Sequence, residues 1–355
     1  MPQLAPASGP DVERTSTLDP FIARLPKVEL HLHLEGAVRP ETLREISRSK
    51  GWPREKIGNW ISERRKERYR YSSFQNFLMA FGLVALLLET PENYALATTR
   101  LIEWLAEQNV KYAEITLSAG VVLWKKQSLE AVFEAIAAAA SEAQARLGVR
   151  VNWIFDAVRQ FGVEHARQVL ERAARFRSQG VVAFGIGGDE ERGPAELFTE
   201  IYRQARDLGL HLTAHAGETS GPESVRKAVE LLGAERIGHG LSAARDPEVM
   251  RLLRERGIPL EVCPTSNVAT GILARLEEHP LPKFLEAGVA VTLNSDDPAM
   301  FGTSLEREFE LAANTFSLSR RQLVGLCENA VRASFLPESE RGRLLSELRS
   351  AAATA

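Results

Sequence analysis

The sequence predicts an α/β protein whose fold class is the (β/α)8 TIM-type barrel. Short runs rich in β-branched and aromatic residues alternate with helical segments, and eight such runs can be counted along the chain. The alternation extends over about 300 residues, which is enough for one closed barrel. Because each parallel strand needs a crossover before the next, the intervening helices indicate a parallel sheet. An open, doubly wound sheet is the alternative that fits the same pattern.

The strands are predicted, in order, at residues 28–36, 111–117, 150–157, 181–187, 210–216, 236–240, 259–263 and 290–294. Helices between and beside them are predicted at residues 40–50, 129–146, 164–177, 195–208, 223–231 and 247–256, several with Pro near the start or Gly near the end. The charged residues 62–68 and the apolar residues 74–88 form a further helical insertion after the first strand. The whole pattern is that of strands connected by helices.

One domain, residues 21–345, is expected to hold all of these elements. Residues 1–20 have no sustained apolar run and are expected to form a disordered tail. No internal repeat or low-complexity linker divides the chain. The sequence leaves the oligomeric state open.

Composition excludes several classes of partner. The chain has 355 residues, of which 44% are hydrophobic, and a formal net charge of −3, so it has no general attraction to nucleic acid or to anionic membranes. Its most apolar run, residues 77–88, is shorter than the roughly 20 residues that span a bilayer. Two cysteines are too few for a disulfide framework. We therefore expect a cytoplasmic protein that binds neither nucleic acid nor a membrane.

The first predicted strand carries a candidate metal clamp. Alternation along a strand places His31, His33 and Glu35 on one face and leucines on the other. Two neutral imidazoles on one rigid strand can bind a divalent cation such as zinc. His-x-His alone is a weak signal, so its value depends on the residues further along the chain.

Polar residues recur at the predicted carboxyl ends of later strands, where barrels carry their reactive groups. They occur at residues 215–218, 238–240 and 294–298, and four of the seven histidines lie at strand ends of this kind. A single such residue usually has a structural role, whereas the recurrence on one barrel face indicates a shared site.

The polar residues at these strand ends can supply a catalytic metal centre. The predicted ligands are His31, His33, His215 and Asp296, which leave a coordination position for water. A bound divalent ion lowers the pKa of that water toward roughly 7. Two further residues, Glu218 and His239, are candidates for moving protons beside it.

Together, five segments resemble the adenosine deaminases and their adenine-deaminating relatives in the metal-dependent amidohydrolase superfamily. They are residues 31–36, 213–218, 236–240, 263–267 and 293–298, in the order and spacing of that family. The resemblance extends from about residue 25 to about residue 327. It implies hydrolytic removal of the 6-amino group of a purine, giving the 6-oxopurine and ammonia, with a lid over the barrel mouth formed by the helical insertion.

The resemblance also implies roles for individual residues. One Zn2+ per chain would be held by the four predicted ligands. Glu218 would protonate N1 of the purine, His239 would orient and deprotonate the attacking water, and Asp297 would bind N7. The backbone N–H of Gly188 would face N3. The implied catalytic residues are Glu218, His239 and Asp297, and the implied substrate contacts are His33, Glu35, Gly188 and Asp297.

The sequence leaves the exact aminopurine open. Adenosine deaminases typically carry Asp where this chain has Glu35, and adenine deaminases resemble it in having Glu. Residues 214–221 and 291–298 look more like the nucleoside enzymes. Residues 113–120 differ from both branches, so a nucleoside modified at its 5′ end, such as aminodeoxyfutalosine, is also considered. We expect a nucleoside, with free adenine as the alternative.

Other functional classes fit less well. The zinc deaminases of the cytidine type are excluded because their His-x-Glu and Pro-Cys-x-x-Cys patterns are absent. The glycines of residues 185–188 lack the spacing of a dinucleotide site. A non-catalytic, metal-stabilised binding protein is a remote alternative, since such a protein would not need Glu218 and His239 beside an open metal position.

Overall fold

A computed structural model describes residues 19–50 and 71–353 of the chain. Within them, parallel strands form one sheet in the order β1 to β8. The strands are β1 (Lys27–His33), β2 (Val110–Leu117), β3 (Arg150–Val158), β4 (Val181–Gly187), β5 (His211–Ala216), β6 (Arg236–His239), β7 (Leu260–Val262) and β8 (Val291–Leu293). Each strand pairs with the next one along the chain.

Backbone hydrogen bonds between the end of β8 and β1 close this sheet. The N–H of His33 donates to the carbonyl of Asp296 at 2.9 Å, and the N–H of Asp296 donates to the carbonyl of His31 at 3.1 Å. In addition, the side-chain oxygen of Asn294 accepts the N–H of Leu30 at 2.9 Å. The sheet is therefore a barrel, which confirms the (β/α)8 prediction, and the doubly wound alternative is wrong.

Helices connect the strands and cover the barrel. The α-helices are α1 (Pro20–Arg24), α2 (Pro40–Lys50), α3 (Phe74–Leu87), α4 (Pro91–Glu107), α5 (Ala119–Trp124), α6 (Leu129–Leu147), α7 (Val163–Arg175), α8 (Thr199–Asp207), α9 (Pro222–Lys227), α10 (Pro247–Arg256), α11 (Pro264–Ala269), α12 (Leu281–Glu286), α13 (Pro298–Phe301), α14 (Leu305–Thr315), α15 (Arg320–Ala333) and α16 (Glu338–Ala353). Short 3-10 turns lie at Arg159–Phe161, Arg177–Gln179, Ala195–Phe198, Leu241–Arg245 and Leu276–Glu278, and a π-helical segment lies at Ala228–Leu232.

The core lies mainly between the strands and the helix layer. In β3, Trp153 and Phe155 pack edge-on against Phe133 of α6, with ring centroids 5.9 and 4.9 Å apart. Helix α6 has clear ends, since Ser128 caps its first turn and Gly148, at φ 71°, terminates it. Burial of these aromatic side chains holds β3 in a fixed position against α6.

Some predicted boundaries differ from the structure. Strand β1 ends at His33, and residues 34–37 form a turn. The predicted helix 195–208 is a 3-10 turn followed by α8, and the predicted helix 223–231 is α9 followed by the π-helical segment. Helix α16 continues past the expected domain end at residue 345, with Leu348 buried.

Two of the sequence predictions lie partly or wholly outside the described residues. The predicted helix 62–68 lies wholly outside them. Of the predicted tail, residues 1–20, only Asp19 and Pro20 are described, and Asp19 caps α1 with its side chain.

The inserted helix α3 lies beside the carboxyl end of the barrel. Several of its residues, among them Phe77 and Phe81, line a cavity above the strand ends. Among the described residues, no single helix is long and apolar enough to cross a membrane; α3 and α4 meet the length and composition test only as a pair bent by 113°.

Candidate active site

Four side chains converge at the carboxyl ends of three strands. His31 and His33 come from β1, His215 from β5, and Asp296 follows β8. One ligand atom from each of the four lies within 4.8 Å of the others. The closing hydrogen bonds of the barrel bring Asp296 to the two β1 histidines, so the fold itself assembles the predicted ligand set.

The hydrogen bonds around this cluster fit a bound cation. The Nδ1 atom of His31 lies 2.9 Å from Oε2 of Glu261, and Nδ1 of His215 lies 3.2 Å from the carbonyl of Ile186. The Nε2 atom of His31 is buried, lies 3.4 Å from Asp296 and has no hydrogen-bond partner. Metal-binding histidines typically use one ring nitrogen for a protein acceptor and the other for the metal.

Burial and charge set the protonation states of the cluster. Burial lowers the pKa of His33 to about 4 and that of His215 well below its usual value, so both rings are neutral near pH 7. His31 differs, because burial is outweighed by the carboxylates of Asp296 and Glu261, which raise its pKa to about 10. Burial would raise the pKa of Asp296, but its interaction with His31 outweighs this and lowers that pKa. A cation that binds here would therefore displace a proton from His31.

Two proton-carrying side chains adjoin the cluster. Burial raises the pKa of Glu218 well above its usual value, and the charges of Asp296 and Glu190 raise it further. Its Oε1 lies 3.6 Å from Nε2 of His239, whose Nδ1 lies 3.2 Å from the Asn267 amide. Glu218 therefore holds its proton more tightly than an ordinary glutamate does, and it lies next to an imidazole whose orientation the Asn267 amide fixes.

Two residues of the site have a left-handed backbone conformation. His239 has φ 61° and Asp296 has φ 64°, a region that costs a non-glycine residue about 1–3 kcal/mol. Asp296 is also held by the hydroxyl of Ser266, which donates to its Oδ2 at 2.7 Å. Such strain is typical of functional sites, where the surrounding structure holds a side chain in one orientation.

Asp297 lies beside the cluster and faces the same cavity. Its Oδ1 is buried without a hydrogen-bond partner, and burial together with the charge of Asp296 raises its pKa. Gly36 makes room for it, because a Cβ there would lie 1.7 Å from that oxygen. The unpartnered oxygen lies against Gly36 and the Asp297 side chain borders the cavity, so Asp297 is a candidate contact for a polar ligand atom.

The cavity has a volume of about 490 Å³, within the usual range of small-molecule pockets. Its inner end is polar and is lined by His33, Asp156, Gly188, His215, Glu218, His239, Asp296 and Asp297. Its outer part is mainly apolar, with α3 on one side and Val121, Trp124 and Phe161 on the other. Reactive groups are thus concentrated at one end of an otherwise apolar cavity.

One predicted substrate contact, Glu35, does not line this cavity. Its side chain is 0% exposed, and its carboxylate accepts the backbone N–H of Ser118 at 3.2 Å. Glu35 lies beyond β1, which ends two residues earlier, so the alternation of a strand does not determine where its side chain points. Ser118 itself lines the cavity, so Glu35 faces the backbone behind the cavity wall.

Three polar residues of the wall were not predicted. Ser118, Asp156 and Gln160 line the cavity near the ends of β2 and β3. Asp156 had a signal of the same kind as Asp296, namely a carboxylate near the carboxyl end of a predicted apolar strand. Glu261, which supports His31, had no comparable signal, because its role depends on a partner far away in the chain.

The site and fold define the class of metal-dependent hydrolases built on a (β/α)8 barrel. A family model described as adenosine deaminase matches residues 26–351, and the chain belongs to that family. It is therefore a hydrolytic deaminase, and the alternative of a non-catalytic binding protein is set aside.

Named relatives cover nearly the whole chain. The aminodeoxyfutalosine deaminase of Streptomyces avermitilis is 39% identical, over 95% of this chain and 94% of its own. The adenosine deaminase of Clostridium perfringens is 34% identical, over 91% and 98%. The relatives thus share the family but are named for different aminopurines.

Solved structures show the same fold. The adenine deaminase of Arthrobacter aurescens has a TM-score of 0.86 at 29% identity, covering 92% of this chain and 98% of its own. A Burkholderia ambifaria amidohydrolase with bound Zn has a TM-score of 0.85 at 26% identity, covering 98% and 97%.

Proposed function

We propose that this protein removes the 6-amino group of a 6-aminopurine nucleoside by hydrolysis, with one Zn2+ held by His31, His33, His215 and Asp296. One observation carries the proposal: the four ligand atoms converge within 4.8 Å at the closed, polar end of a cavity that also contains Glu218. The product is the 6-oxopurine, and ammonia leaves. Both cysteines are free and buried, which is compatible with the cytoplasmic location that we propose.

The side chains around the cavity divide the proton transfers between them. Protonated Glu218 donates its proton to N1 of the purine, where it stays in the product, and this makes C6 more electrophilic. As the C–N bond breaks, the Glu218 carboxylate takes the proton of the added hydroxyl group, and His239 passes the proton that it took from water to the departing ammonia. His239 orients the attacking water and accepts its proton at Nε2. For this role Nδ1 must carry the ring hydrogen, so the Asn267 amide, whose nitrogen lies 3.2 Å from Nδ1 in the structure, must turn its oxygen to that atom. A bound cation lowers the pKa of water so that it is a nucleophile at neutral pH.

Further contacts would orient the purine ring. Asp297, with its raised pKa, can donate to N7 from a protonated carboxyl group. The N–H of Gly188 faces N3, and its φ of 97° is one that glycine adopts without strain. Together these contacts hold the ring while C6 faces the metal cluster, which lowers the entropic cost of reaching the transition state.

The cavity favours a nucleoside with an extended 5′ position, such as aminodeoxyfutalosine. The apolar outer part offers more room than a bare purine needs, and Trp124 at its edge is 56% exposed. Glu35 is occupied by the backbone of Ser118 and is not free to bind a 5′-hydroxyl group. The similarity to the Streptomyces avermitilis aminodeoxyfutalosine deaminase supports the same choice.

Ammonia release from the zinc-loaded protein tests the proposal. Adenosine, 2′-deoxyadenosine, adenine and aminodeoxyfutalosine would be compared side by side, and we expect the highest kcat/KM for aminodeoxyfutalosine. Preference for adenosine would keep the nucleoside assignment and reject the 5′ extension. Turnover of adenine alone would reject the nucleoside assignment, and no turnover of any of the four would reject the proposed substrate class.

A further inference from the structure

A buried carboxylate outside the metal cluster holds the loop that carries Glu218. The side chain of Glu190, after β4, is 4% exposed. It accepts backbone N–H groups of three consecutive residues, Gly217 at 2.9 Å, Glu218 at 2.9 Å and Thr219 at 2.8 Å. The N–H of Ser220 lies 3.4 Å away. One carboxylate therefore fixes the backbone on both sides of the proton donor.

Both oxygens of this carboxylate are used. Oε1 accepts from Glu218 and Thr219, while Oε2 accepts from Gly217 and from the hydroxyl of Ser224. The charge–dipole bonds of a carboxylate with backbone N–H groups are stronger than bonds between neutral groups. The loop has no regular secondary structure over residues 217–220. The bonds to Glu190 therefore take the place of the backbone hydrogen bonds that a strand or helix would provide.

A buried arginine holds the strand end next to this loop. Arg159, 2% exposed, donates to the carbonyl of His215 and to the carbonyl of Gly193. Its charge lowers the pKa of Glu190, as do the hydrogen bond from Ser224 and those from the loop, against the effect of burial. The ionised state of Glu190 and the position of the loop therefore depend on each other.

We propose that Glu190 is a positioning residue that sets the location of the Glu218 carboxyl group in the active site. This inference rests on the proposed role of Glu218 as the proton donor. Glu190 does not line the cavity, so it acts on Glu218 through the backbone of residues 217–220 and through its charge, which adds to burial in raising the pKa of Glu218. Displacement of a catalytic group by about 1 Å can cost on the order of 100-fold in rate.

The variant Glu190→Gln tests this role. Each oxygen of Glu190 accepts at least one N–H, so a glutamine must direct its NH2 group at a backbone donor in either orientation of its amide. We expect kcat to fall about 100-fold, with KM and zinc content close to those of the unaltered protein. The matched control is Glu191→Gln, which removes an exposed carboxylate from the same segment and should leave kcat unchanged.

A double-mutant cycle separates positioning from a general structural effect. If Glu190 acts through the Glu218 carboxyl group, Glu190→Gln costs little further rate in a Glu218→Gln background, measured at enzyme concentrations near that of substrate. Full additivity of the two losses would overturn the proposal. Unaltered kcat in Glu190→Gln would overturn it as well.

A milder variant covers the case in which Glu190→Gln does not fold. Ser224→Ala removes one donor to Oε2 and should lower kcat severalfold, and this loss should likewise vanish in the Glu218→Gln background. A loss of kcat that persists there would overturn the proposal. Failure of the proposed function is distinguishable, because the unaltered protein would then release no ammonia from any aminopurine tested.

Discussion

At the scale of single residues, the proposed function depends on a proton carried by Glu218. Glu218→Gln keeps the shape of the side chain and its capacity for hydrogen bonds, but an amide cannot transfer a proton. We expect zinc content to stay at one per chain and kcat to fall by about 10²–10⁴-fold, the usual contribution of general acid–base catalysis. Metal analysis and ammonia release measure the two quantities. Loss of zinc in this variant would place Glu218 in the coordination shell.

Another single residue, Glu261, should control the affinity for metal. One carboxylate oxygen of Glu261 lies 2.9 Å from Nδ1 of His31. The other accepts a hydrogen bond from Nε of Arg236 at 2.5 Å. A glutamine cannot accept on both sides, so Glu261→Gln should weaken zinc binding by about 10–100-fold. Competition with a chelator measures this. The control is Glu235→Gln, which removes the carboxylate beside the half-exposed His211; equal zinc affinity in both variants would contradict the prediction.

At the scale of elements, the turn after β1 should tolerate no side chain at position 36. The Cβ of Gly36→Ala would overlap Asp297 at 1.7 Å, so either the turn or the loop after β8 must move. We expect activity to be largely lost and the free energy of unfolding to fall by about 1–3 kcal/mol. Urea unfolding and ammonia release measure these effects.

Gly325→Ala provides the comparison. Gly325 lies within α15, and a Cβ there would meet nothing within 4 Å. This variant should retain activity and gain about 0.5–1 kcal/mol of stability from the better helix propensity of alanine. If Gly36→Ala behaves like Gly325→Ala, the close contact between the turn and Asp297 does not exist in solution.

The elements also show what could be predicted from the sequence. Polar residues at the ends of apolar runs located His215, His239 and Asp296 correctly, because parallel strands must bring their carboxyl ends to one face. Glu35 was misplaced because the alternation of polar and apolar residues continues past the point where β1 turns. A period of two in the sequence does not show where a strand stops.

The supporting residues could not be predicted in this way. Glu190 and Glu261 interact with backbone or side chains that are distant in the sequence, and neither has a periodic or motif signal of its own. Their roles follow from packing of strand ends that only the closed barrel defines. Arg159 is a similar case. It donates to the backbone carbonyl of His215, and because every residue has such a carbonyl, the sequence does not indicate which one an arginine will bind.

At the scale of the whole molecule, the site is placed on the seam that closes the barrel. His31 and His33 belong to the first strand, and Asp296 follows the last, so a cation bound by them would connect the two ends of the sheet. A ligand that binds only the folded state stabilises it in proportion to the logarithm of its concentration above the dissociation constant. Metal binding and closure of the barrel should therefore support each other.

The buried histidines make a contribution to stability that acid removes. Burial lowers the pKa of His33 and His239 to about 4 and that of His279 to about 3, whereas an unfolded histidine titrates near 6.5. Between these values the unfolded state binds more protons at these sites, so their contribution to the free energy of unfolding falls as pH falls from about 6.5 toward 4, and it is fully present above about 6.5. Four buried carboxyl groups act in the opposite direction, because burial raises their pKa to about 7 and the folded state then binds more protons below that pH; they are Glu29, Glu35, Asp156 and Glu308.

Urea unfolding at pH 7, 6, 5 and 4, with and without excess zinc, separates the ligand histidines from the other buried groups. Protons compete with the cation for the imidazoles of the cluster, so excess zinc should raise the free energy of unfolding most at pH 7 and least at pH 4. His279 lies outside the cluster, so its contribution should be the same with and without zinc. A zinc-induced gain that is equal at pH 7 and pH 4 would remove the histidines from the ligand set.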